Sequence, residues 1–160
     1  MTLYARSMTR LRRMIGLATA LLVLGGAALA SDVTPQSTDL PDLSAIRAKI
    51  YSGSYDDAAR ELTALTATVQ HADLYNLLGF SLRKLKRYDE AAKWYREALL
   101  YDATHRPALE YQGELFIEIA DYLAAQKNLE LLRLVCFPKG CEEYDRLKDA
   151  LQQAKQKPAG

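Results

Sequence analysis

Residues 75–98 read Tyr75-Asn-Leu-Leu-Gly79-Phe-Ser-Leu-Arg-Lys-Leu-Lys-Arg-Tyr88-Asp-Glu-Ala91-Ala-Lys-Trp-Tyr95-Arg-Glu-Ala98, and the stretch recurs in outline on both sides of itself. Tyr88-Asp-Glu-Ala-Ala92 answers Tyr55-Asp-Asp-Ala-Ala59, 33 positions earlier. Gly79, Tyr88 and Ala91 return as Gly113, Tyr122 and Ala125, 34 positions later. Self-similarity at this period marks a stacked array of small units, none of which buries its apolar face alone.

The units are helical. From Leu43 onward the apolar residues recur at helical spacing, and no stretch alternates with period two for long enough to make a strand. The pattern predicts helices over 43–52, 55–67, 72–86, 89–102, 107–120, 122–135 and 142–156. Pro107 suits a first helical turn, where its missing N–H has no partner to lose. Gly79 and Gly113 fall inside helices, where glycine costs about 1 kcal/mol against alanine, so each is expected to admit a close neighbour. Ala91 and Ala125 are expected to face these glycines from the second helix of each pair. Tyr88 and Tyr122 are expected to fill the space at the turns. In the last segment Tyr144, Leu147, Leu151 and Ala154 share one face, which reads as a cap over the open end of the stack.

In the central unit, Tyr75-x-x-Leu78-Gly79-x-x-Leu82 precedes Tyr88, Ala91-x-x-x-Tyr95 and Ala98, and this order resembles the tetratricopeptide repeat. The third unit keeps Leu109, Gly113, Phe116, Tyr122, Ala125 and Leu129; the first keeps Gly53, Tyr55, Ala58 and Leu62. Ala103 stands where the family usually has proline, and Gln112 where it has leucine. The resemblance covers residues 42–135. It implies an all-α solenoid of about three helix pairs with a C-terminal capping helix, working as a non-catalytic protein–protein interaction module. The family's concave face, carried over position by position, presents Asn76, Phe80, Arg83 and Lys84 from one unit and Glu110, Glu114 and Ile117 from the next. That groove has mixed sign and suits an extended or helical peptide with its own charge pattern. It departs from the arrangement of lysines and asparagines with which some members hold a C-terminal carboxylate, so that ligand is not expected.

The ends read differently. Residues 1–30 place Arg6, Arg10, Arg12 and Arg13 before an apolar run that ends in Ala28-Leu29-Ala30, the form of a signal peptide cut after Ala30. The run is shorter than a spanning helix needs, and no membrane span is expected once it is removed. Residues 31–42, with two prolines and no apolar period, read as a flexible linker; 43–156 form the helical domain and 157–160 a frayed tail. Four of the 21 basic residues and none of the 20 acidic ones lie in 1–30, so the remainder carries 17 against 20, a net −3. No concentrated basic surface points to nucleic acid.

No catalytic set is present in the sequence. The two histidines, His71 and His105, have no nucleophile in a recognisable setting, and no glycine-rich phosphate loop occurs. Neither an enzyme nor a cofactor is expected. Cys136 and Cys141 flank Phe-Pro-Lys-Gly, a turn that brings two sulfurs together, and export favours a disulfide there. The alternative is a metal- or haem-binding carrier that uses the Cys136/Cys141 loop with the two histidines. Helices packed about 10 Å apart space those groups too widely for one ion. The expectation is an adaptor or assembly factor of the periplasm or cell envelope, or a secreted one, with a protein or peptide partner.

Overall fold

A computed structural model describes residues 35–156, so the proposed signal peptide and the tail 157–160 lie outside the described residues. Those residues form seven α-helices: α1 Ser44–Tyr51, α2 Tyr55–Leu65, α3 Ala72–Lys84, α4 Tyr88–Tyr101, α5 Arg106–Glu118, α6 Tyr122–Val135 and α7 Glu142–Gln156. Each helix was legible in the sequence to within two residues at either end. The helices stack as pairs α1/α2, α3/α4 and α5/α6, with α7 packed on α5 and α6.

The three pairs turn by one device. Gly53, Lys86 and Ala120 each follow a first helix with φ of 80°, 60° and 62°. The next amide in each case, that of Ser54, Arg87 or Asp121, donates back to the carbonyl of Lys49, Leu82 or Phe116. This is the left-handed helix end that satisfies terminal carbonyls and reverses the chain, repeated once per unit. Starts are repeated as well. His71 and His105 occupy the N-cap positions of α3 and α5, and their ring Nδ1 atoms accept from the amides of Asp73 and Ala108, both at 3.1 Å.

Close packing follows the glycines, though not as the alanine expectation had it. A Cβ on Gly79 would come within 2.8 Å of the ring of Tyr95 from α4, and Tyr95 is fully buried. A Cβ on Gly113 would meet Leu147 of the capping helix at 2.5 Å. Ala91 and Ala125 are fully buried, but the nearest occupants of the glycine seats are these two larger side chains. Unit three carries Leu129 where unit two has Tyr95, and α7 supplies the bulk instead. Tyr88 packs half-buried against the core, as expected, whereas Tyr122 is 37% exposed at the end of the array, with only α7 beyond it.

Two departures from the sequence pattern have packing reasons. Gln112, in place of leucine, is buried and accepts from Asn128 Nδ2 of α6 at 3.0 Å, while the same amide donates to the Leu109 carbonyl at 2.9 Å. Residues 35–42 form no helix, but they are tied down instead of running free. The amide of Thr38 donates to the Gln70 carbonyl at 2.8 Å, the Gln70 amide donates back to Thr38 Oγ1 at 2.8 Å, and Leu40 packs on the core.

Candidate peptide-binding groove

The first helices of the pairs lie side by side, and a groove of about 380 Å³ runs across them. Helix α1 contributes Arg47, Ile50 and Tyr51, and Tyr55 stands at the start of α2. Helix α3 contributes Asp73, Asn76, Leu77, Phe80 and Lys84; α5 contributes Pro107 and Tyr111. The floor is aromatic. Phe80 packs between Tyr55, with ring centres 6.3 Å apart, and Tyr111, at 4.9 Å. Lys84 Nζ sits 5.1 Å from the Phe80 ring centre and so remains at the rim with its charge available.

Asn76 is a buried polar group of this wall left without a partner. It is 4% exposed, and its Oδ1 is buried with no hydrogen-bond partner. A buried amide in that state costs roughly 1–3 kcal/mol until something pairs with it. An amide offers both a donor and an acceptor, which matches the backbone of an extended peptide.

The seven residues carried over from the sequence do not form one surface. Asn76, Phe80 and Lys84 line the groove. Arg83, Glu114 and Ile117 line a second, shallower depression together with Glu118 and Ala150. Glu110 lines neither of these surfaces. Arg83 is 3% exposed and bridges α3 to α5, its guanidinium donating to Glu114 and Glu118 at 2.5 Å each. Burial works against that charge, but Tyr95, Glu114 and Glu118 beside it more than compensate and hold its pKa above the usual arginine value. Glu110 is buried and accepts two hydrogen bonds from Arg146 of α7, at 2.6 and 2.8 Å. The expected negative charges are therefore engaged between helices, Glu114 with α3 and Glu110 with the capping helix.

Sequence reasoning missed Arg47, Ile50, Tyr51, Tyr55, Asp73 and Tyr111. The first unit has no Leu-Gly pair in its first helix to set the register. Gly53 sets it instead, 33 positions before Lys86, and that offset places Arg47 at the level of Phe80 and Tyr51 at the level of Lys84.

Cys136 and Cys141 are joined in a disulfide that closes the loop between α6 and α7. The four residues of the metal alternative are thus engaged elsewhere: both sulfurs in that bond and both histidines in helix caps. Among the described residues no three histidine, cysteine or carboxylate side chains gather at a metal-binding distance, and no helix is long and apolar enough to cross a membrane.

An array of helical hairpins with a groove across their first helices defines a helical-repeat solenoid. The tetratricopeptide repeat model matches residues 72–105, which span the α3/α4 pair. Solved structures share the architecture. The Yersinia enterocolitica type III secretion translocator chaperone SycD aligns with a TM-score of 0.63 at 20% identity, covering 70% of this chain and 79% of that one. PcrH in complex with the chaperone binding region of PopD aligns at 0.62 and 19% identity, covering 70% and 86%. The second TPR domain of human RPAP3, in complex with the HSP70 peptide SGPTIEEVD, aligns at 0.60 and 21%, covering 71% and 91%. At these identities the likeness is one of fold. Comparison with curated proteins gives no match. The α3/α4 pair thus matches a tetratricopeptide repeat, and the described residues share the fold of tetratricopeptide-repeat structures.

Proposed function

We propose that the protein is a non-catalytic interaction module that binds a peptide or protein segment in the α1/α3/α5 groove. The observation that carries this reading is Asn76, a buried amide without a partner beside an aromatic floor. A stack evolved only for stability would have little use for that arrangement, since an apolar residue there would cost nothing. The structures of SycD, PcrH and RPAP3 support it by fold: PcrH and the RPAP3 domain are each seen with a segment of a protein partner.

The protein acts in an oxidising compartment, the periplasm or the cell exterior, as an adaptor or assembly factor for an envelope protein. Its N-terminal charge-and-apolar pattern and its disulfide support that location.

The test is titration of a partner segment identified from the native source against wild-type protein, Asn76→Ala and Phe80→Ala. Loss of a buried aromatic anchor is expected to weaken binding by roughly 30-fold, and loss of the amide by roughly tenfold. Unchanged affinity in both variants excludes the groove. Arg83 is unsuitable for such a test, because its replacement removes the buried guanidinium that ties α3 to Glu114 and Glu118 of α5.

A further inference from the structure

We infer that the groove selects an acidic segment, recognised through internal carboxylate side chains flanking an apolar residue, with no free C-terminus required. The inference rests on the peptide-binding reading above and adds the chemistry of the ligand.

It comes from accounting for every charge around the groove. Asp73 lines it but is already engaged: His105 Nδ1 accepts the Ala108 amide, so the ring proton is on Nε2, which donates to Asp73 Oδ1 at 3.1 Å. Glu110 is held by Arg146, and Glu114 and Glu118 are held by Arg83. On the far side Glu61 is paired with Lys49. The cations differ. Arg47 and Lys84 both line the groove, and neither has a carboxylate within ion-pairing distance among the described residues.

Asp73 is hydrogen-bonded but keeps its charge, so the lining carries two cations against one carboxylate, a net +1, although residues 31–160 together sum to −3. Positive charge at one trough of an otherwise acidic surface attracts acidic chains and repels basic ones. The two cations stand on different helices, α1 and α3, with the Phe80 ring and the free Asn76 amide in the wall beside them. Each cation can take a carboxylate of its own. Two acidic side chains with an apolar residue between can serve both, with that residue on Phe80 and the backbone on Asn76.

The probe is a library of random linear peptides displayed on phage through their C-termini, so that no peptide has a free carboxylate end. Selection is run on the full exported domain, with Lys84→Glu, Arg47→Glu and Phe80→Ala as counter-targets and circular dichroism as the check on folding. Peptides enriched in aspartate and glutamate on both sides of an apolar residue are expected, and they should bind each charge-reversed variant roughly fivefold or more weakly. Selected peptides that depend on Phe80 but show no acidic enrichment would overturn the inference and leave the peptide-binding reading standing. The same holds if amidated synthetic copies fail and only free-acid copies bind. If no selected peptide depends on Phe80, the peptide-binding reading falls and this inference with it.

Discussion

Glu110 and Arg146 lie 36 positions apart, yet the guanidinium donates twice to the carboxylate and fixes the capping helix to the last repeat. Glu110 is almost wholly buried while Arg146 is half-exposed. Burial pushes the Glu110 carboxyl up from the ordinary glutamate range, and Arg146 opposes that rise.

The consequence is asymmetric. Arg146→Ala strands a buried carboxylate and is expected to cost about 2–3 kcal/mol, below the value for a fully buried pair because Arg146 meets solvent. Glu110→Leu combined with Arg146→Met is expected to recover most of that loss. The sign with pH follows from linkage. A carboxyl whose folded pKa is raised favours the fold most below its unfolded pKa, and that contribution is lost as pH rises through the folded value. Removing Arg146 raises it further, so the deficit of Arg146→Ala shrinks as pH falls from about 7 to about 5. Urea melts at the two pH values measure this. A deficit that grows on acidification contradicts the burial of Glu110.

The repeated turn offers a gain of stability. Lys86 and Ala120 hold the left-handed conformation that Gly53 holds without strain. Lys86→Gly and Ala120→Gly are each expected to stabilise by about 1 kcal/mol, since a side chain is penalised there and glycine is not. Thermal melts read this directly. Destabilisation by both substitutions would place the turns in another conformation.

Gln112 and Asn128 form a matched polar pair between α5 and α6. Asn128→Ala leaves Gln112 Oε1 and the Leu109 carbonyl without their donor and is expected to cost about 1–3 kcal/mol. The double replacement Gln112→Leu with Asn128→Leu restores the apolar pattern of the repeat and is expected to cost less than the single change. A double-mutant cycle with no coupling contradicts the contact.

Export and the disulfide are checked together on protein recovered from its native compartment. The mature chain is expected to begin at Ser31 and to show no free thiol until reduced. Cys136→Ser with Cys141→Ser is expected to lose about 2 kcal/mol, the scale of closing so short a loop.

The fold was open to reading because repetition overdetermines it. Gly79, Tyr88 and Ala91 return together at 34 residues, and the helix bounds follow from the same period. The groove was only half legible. The family resemblance places Asn76, Phe80 and Lys84 on an inner helix face, and the structure puts them together in one wall. It says nothing of which charges are consumed within the stack, because Arg83 and Glu114, or Glu110 and Arg146, meet across separate helices. The seat of Leu147 against Gly113 was hidden for the same reason: the capping helix has no glycine signature to give its register.

The central claim is that the inner groove, and no other face, receives the partner. Its most direct test is amide and side-chain NMR of the labelled domain titrated with a bound partner segment. The account predicts that the largest shifts fall on Arg47, Tyr51, Asn76, Phe80, Lys84 and Tyr111, with a new hydrogen bond at the Asn76 amide. Shifts confined to the exposed Leu131 and Leu134 of α6 and Phe137 of the loop after it, with the groove unchanged, would contradict it.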